Sequence, residues 1–220
     1  MFLWPVSLFL ILVLFFLLPL LLILLPLKVF EAALKRLGIP GPLALFLFIA
    51  SLVGSLINIP LATRPAPQEP FVFKIGSSIF QPLFWHPGPT SEMVLAVNVG
   101  GAVIPVFICL LLLPRAPFFP TLIASIISIT VCYFIAQPVA SIGITIPTLI
   151  PPLVAILCAF FFSPKNRAPV AYISGVTGVL VGADLLHLTS IPLYSGVMSI
   201  GGAGVFDGIF LVGILTALFA

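Results

Sequence analysis

Apolar residues fill this chain in long blocks, without the two-residue alternation of a half-buried strand or the stripe of a surface helix. The first block, Phe2 to Leu27, carries no charge and exceeds the ~20 residues that cover a bilayer core as a helix. It has no basic leader and no small-residue cleavage site, so it reads as a retained helix kinked at Pro19, not as a signal peptide. Later blocks predict helices over about residues 40–60, 93–113, 118–136, 146–162, 168–188 and 202–220. Pro147, Pro151 and Pro152 crowd the start of the fifth, and six or eight spans stay open beside seven. Residues 62–91, rich in Pro and aromatics, suit a long outer loop with interfacial or re-entrant character. The pattern predicts an all-α, polytopic transmembrane helical bundle of about seven spans, a single integral membrane domain over residues 1–220. Its first helix and a basic cytoplasmic patch occupy 1–38, ahead of the remaining spans.

Composition agrees with the pattern. Hydrophobic residues make up 62% of the chain and charged ones 6%, and the mean hydropathy is +1.40, outside the range of soluble domains. The lipid bilayer is therefore the first partner, and a net charge of +3 spread over loops gives nucleic acid no footing. With the N-terminus outside, the inward loops hold Lys28, Lys35, Arg36, Arg115, Lys165 and Arg167, while the outward ones hold Arg64 and Lys74. That bias favours an N-out/C-in orientation. Cys109, Cys132 and Cys158 stand alone in apolar segments and read as packing residues. The stretch "IGGAG" lacks the Gly-Lys-Ser/Thr ending of a phosphate loop, so neither a nucleotide cofactor nor an ATP-driven pump working alone is expected.

Against that background the acids stand out. Glu31, Glu69 and Glu92 fall in loops or at a helix mouth, whereas Asp184 and Asp207 fall inside the sixth and seventh spans. An ionisable group within a membrane is costly enough to mark a functional site by default. Counting from the helix ends puts both aspartates roughly 6–8 Å below the outer surface on adjacent helices. Asn58, Asn98 and Gln137 fall near the outer ends of three other helices, which predicts a shared polar cavity opening outward. The alternative is that these amides only tie helices together by hydrogen bonds. Gly175, Gly178 and Gly182, with the glycines around Asp207, suggest that the sixth and seventh helices pack closely.

Two close carboxylates cannot both ionise cheaply in a low dielectric, so such a pair holds a proton between them. It can work as general acid and base on a water, or carry a proton or cation. His187 shares a helix face with Asp184 and joins the binding candidates. With Asp207 these would be three metal donors lacking a fourth, so no metal site is predicted, and His86 reads as a loop residue.

The segments "SLINIP" (55–60), "AVNVGGAVIP" (96–105), "GITIPTLIPPLVA" (143–155), "GADLLHL" (182–188) and "SIGGAGVFDGIFLVGIL" (199–215) resemble the family catalogued as domain of unknown function 1614. The likeness covers about residues 40–220 and implies a protein of the bacterial or archaeal cytoplasmic membrane, with no activity attached. A looser analogy is to presenilin-type and signal-peptide-peptidase-type intramembrane aspartyl proteases, which also carry aspartates on consecutive helices. This chain departs from them with Gly204-Val205-Phe206-Asp207 in place of Gly-x-Gly-Asp, with Ala183 rather than Tyr before Asp184, and with no Pro-Ala-Leu motif following. Three readings result. The first is a transporter-like binder of a cation or small solute, built on Asp184, Asp207, Asn58, Asn98, Gln137 and His187. The second is a hydrolase cutting a membrane peptide with Asp184 and Asp207 as its catalytic pair. The third is a scaffold without catalysis. Oligomeric state stays open.

Overall fold

The computed structural model describes residues 4–66, 92–139, 143–191, 196–202 and 207–220. Most of the expected outer loop, including Glu69, Lys74 and His86, lies outside the described residues.

The chain is mostly helical. The helices are α1 (Trp4–Arg36), α2 (Gly41–Gly54), α3 (Ile104–Leu112), α4 (Phe118–Ile135), α5 (Ile150–Phe162), α6 (Arg167–Thr177) and α7 (Gly208–Phe219). A π-helical turn, Val99–Val103, leads into α3, and α6 continues through a second, Gly178–Asp184, into a 3-10 turn, Leu185–His187. Among the described residues, two helical stretches, Phe118–Ile135 and Arg167–His187, are long and apolar enough to cross a membrane; the shorter apolar ones are Gly41–Gly54, Val99–Arg115, Ile150–Phe162 and Gly208–Phe219.

Among the described residues five strands accompany the helices, an addition to the all-α expectation. β1 (Asn58–Pro65), β2 (Glu92–Asn98) and β5 (Gly196–Ile200) form a sheet in the order β1-β2-β5, while β3 (Gln137–Val139) and β4 (Gly143–Thr145) make a short hairpin. β1 pairs antiparallel with β2, and β2 pairs parallel with β5. The blocks at 40–60 and 93–113 therefore each hold a strand as well as a helix. Hydropathy alone cannot separate the two, because an apolar strand and a buried helix segment read alike. The local signals are finer. Pro60 and the adjacent bulge suit an edge strand, where a missing N–H costs little. The side chain of Asn98 accepts from Gly101 N and starts the turn after β2, and Pro105 occupies the first turn of α3.

α6 is the central helix. Residues Val170 to Val176 are buried without a break, and α3, α4, α5 and α7 pack around them. α6 packs closely on α7, with Gly213 of α7 against Tyr172, while the glycines of α6 divide between two neighbours. A Cβ on Gly178 would lie 2.8 Å from Ser128 Cβ, and one on Gly182 2.4 Å from Ile129 O, so this pair admits α4. Only Gly175 faces α7, at Val212 and Thr216.

The helix ends sort the charges. Arg36 donates to Leu218 O, Arg115 Nη1 donates to Leu37 O at 2.9 Å, and Ala220 packs on the cluster containing Val170 and Ala171. The ends of α1, α3 and α7 thus meet the start of α6, where Arg167 lies over the Phe160 ring at 4.3 Å. Asp184 lies ~26 Å along the helix from Arg167. Arg36, Arg115 and Arg167 thus gather at the end of the bundle remote from Asp184.

Candidate functional site

Three backbone features converge on the acidic end. The first is the π turn that closes α6 at Asp184. Such wide turns are common at functional sites, because they re-aim the side chains that follow. The second is the π turn Val99–Val103, which presses glycine backbone against its neighbours. A Cβ on Gly101 would lie 2.0 Å from Gly201 O, and one on Gly100 2.1 Å from Ser51 O. The third is Gly201 itself, whose φ of +70° favours glycine and turns the chain from β5 towards α7.

Asp207 sits ahead of α7 rather than five residues inside it, which corrects the expected placement. It is the N-cap, with Oδ2 accepting from Ile209 N at 3.1 Å. Aspartate is among the best N-caps, and the glycines before it disfavour helix. The helix N-terminus also stabilises its negative charge.

Two cavities, of about 240 and 250 Å³, meet at the aspartates. The first lies on the sheet side and is lined by Asn58, Ser199, Gly201, Gly202 and neighbouring backbone. The second lies among the helices, lined by Thr145, Thr148, Val179, Leu211 and Val212. Asp184, Asp207 and Ile144 line both. The carboxylates therefore form a wall common to the two spaces.

The amides part company. Asn58 lines the first cavity. Asn98, 1% exposed, stands behind it and holds it: Nδ2 donates to Asn58 Oδ1 at 3.0 Å and to Ser55 O at 2.8 Å, while Oδ1 accepts from Gly101 N at 2.9 Å. Asn98 is a positioning residue. Gln137 begins the β3–β4 hairpin, exposed, and lines neither cavity. His187 also lines neither. Its Nδ1 lies 3.0 Å from Ala183 O and 3.2 Å from Gly182 O, so the proton sits on Nδ1, and its ring packs on Tyr133. Among the described residues no three His, Cys, Asp or Glu are grouped to hold a metal ion.

Sequence reasoning missed Ser199. Its Oγ donates to Asn58 Oδ1 at 2.6 Å, and it lines the first cavity with the β5 backbone. A lone serine in an apolar stretch gives little warning; its place beside Asn58 follows from the parallel pairing of β5 with β2, which joins residues distant in sequence.

The fold and site together describe a largely apolar helical chain with a carboxylate-lined pair of cavities at one end. The chain belongs to the family described as "Protein of unknown function (DUF1614)", whose model matches residues 52–219. No curated protein and no solved structure matches it.

Proposed function

We propose that this chain is a multi-pass protein of a bacterial or archaeal cytoplasmic membrane, oriented N-out/C-in. It binds a cation or small solute at Asp184 and Asp207 and passes it between the two cavities. The carrying observation is that both aspartates line both cavities, so a ligand held by them would border two spaces at once, as a carrier site requires. The membrane reading draws support from an inside-out distribution of polarity. Phe15, Phe46, Phe118, Phe119, Phe134 and Phe161 are each at least 64% exposed, whereas Asn98, Ser128, Ser174 and Thr216 are buried. An apolar surface on that scale suits lipid contact and would drive aggregation in water. Six of the eight Lys and Arg lie towards the end remote from the aspartates, in keeping with a cytoplasmic basic face.

The hydrolytic reading is less well supported, because Asp207 spends one oxygen on the α7 cap instead of sharing a water symmetrically. The test is in two parts. Alkaline carbonate should leave the chain in the membrane pellet, and release into the supernatant would end the membrane reading. Purified wild type should then bind cationic solutes saturably while folded Asp184→Asn does not. Equal binding by the two would remove the site. A cleaved membrane peptide that requires both aspartates would favour the hydrolase instead.

A further inference from the structure

A groove of about 420 Å³ opens at the basic end of the bundle, away from the aspartates. Phe118, Thr121, Leu122 and Ser125 line it from α4, at the i, i+3, i+4, i+7 spacing of a single helix face. Thr121 and Ile173 of α6 are buried and make its floor, while Leu113, Phe118 and Leu122 are exposed and make its rim. Thr121 Oγ1 donates to Pro117 O at 2.7 Å, so its proton is spent on its own helix and calls for no polar occupant. From Phe118 to Ser125 the groove runs ~10 Å along α4. That helix is long and apolar enough to cross a membrane, so the groove follows the bilayer normal, the direction in which a lipid chain lies.

The mouth of the groove has the opposite character. Arg115 stands there in the chain between Leu113 and Ala116, which both line the groove. Its Nη1 donates to Leu37 O at 2.9 Å, a bond that ties the guanidinium to the chain just past α1. A guanidinium carries five N–H donors in a rigid fork, so this bond leaves others for an anion. α4 begins at Phe118, and the positive end of its dipole lies at the same mouth. An apolar slot with a fixed cation at its cytoplasmic end complements an acyl chain joined to an anionic head group. A helix of another protein would match the slot but not the cation.

We infer that the groove binds an anionic phospholipid of the cytoplasmic leaflet, with one acyl chain along α4 and the phosphate at Arg115. The inference rests on the membrane orientation proposed above and is independent of the aspartate pair.

The test uses the full chain, purified in detergent and stripped of lipid, titrated with dioleoyl phosphatidylglycerol and dioleoyl phosphatidylcholine and read by native mass spectrometry. The two lipids share their chains, but the choline of the second neutralises its own phosphate. Phosphatidylglycerol should bind about tenfold more tightly, the worth of one hydrogen bond to a charged group. Arg115→Gln should bring the two lipids to equal affinity, whereas Lys165→Gln, at an exposed cation outside the groove lining, should keep the preference. Ser125→Phe fills the groove and should weaken both lipids, and it tests the slot even if Arg115→Gln does not fold. Equal binding of the two lipids by the wild type would overturn the inference, as would an unchanged preference in folded Arg115→Gln. An equal loss in Lys165→Gln would overturn it in favour of diffuse attraction to the basic face. If Ser125→Phe turns a dimer into a monomer and leaves lipid binding unchanged, the groove holds a second copy instead. Release of the wild type by alkaline carbonate would end the membrane reading and this inference together, while failure of the lipid titration alone leaves that reading standing.

Discussion

Asp207 offers a test in which structure and function separate. Its Oδ2 accepts from Ile209 N, and Ile209 is fully buried. Removing the side chain leaves that N–H without its cap beside a buried residue. Loss of an N-cap costs about 1 kcal/mol and stranding a buried donor about 1–3 kcal/mol; the two overlap, so Asp207→Ala should cost about 1–3 kcal/mol. Asn is as good an N-cap as Asp, so Asp207→Asn should stay within about 0.5 kcal/mol of wild type while losing the carboxylate. Thermal unfolding in detergent micelles measures the first quantity, and calorimetric titration with a cationic solute measures the second. The expected result is a stable but non-binding Asn variant beside an unstable Ala variant. If Asn destabilises as much as Ala, the cap is wrongly assigned. If Asn binds as well as wild type, the carboxylate is not part of the site.

Three further outcomes follow from other contacts. Asn98→Asp should destabilise by about 2 kcal/mol or more, because it puts oxygen against the Ser55 carbonyl and Asn58 Oδ1; unchanged thermal stability would refute the amide network. Gly182→Ala should cost about 1–3 kcal/mol by forcing α4 away, whereas Gly208→Ala, whose Cβ would meet nothing nearer than Val179 at 3.9 Å, should be tolerated; equal unfolding temperatures for the two would contradict the packing. Hydrogen bonds from Lys35 and then Lys28, aided by their charges, hold the Glu31 carboxyl below its ordinary 4.5. Its contribution is therefore present above that pH and fades as pH falls through the lowered value. Wild type should lose a small advantage over Glu31→Gln between about pH 5 and 3, and parallel pH profiles would discount the pair.

Much of this was legible because composition and charge are coarse signals. The two aspartates and the glycine-rich stretches around them are visible in the sequence pattern, and the contacts at Arg36 and Arg115 tie the ends of α1, α3 and α7 together. The sheet was hidden because "MVLAVN" is as apolar as the helix after it, and only long-range pairing with β5 makes it a strand. The same pairing brings Ser199 beside Asn58, a contact 141 residues apart that no local pattern encodes. Asp207 was misplaced by a turn because a hydropathy block does not mark its own N-cap. His187 lines neither cavity, because a shared helix face with Asp184 does not set which way the ring turns once the π turn and its 3-10 successor change the periodicity.

The most direct test of the aspartate pair is flux. The full chain in proteoliposomes, given a panel of labelled cations and small solutes outside and a pH gradient across the membrane, should take up at least one of them saturably. Asp184→Asn and Asp207→Asn, each verified as folded, should fall to the rate of protein-free vesicles. Uptake by either variant at the wild-type rate would contradict the account.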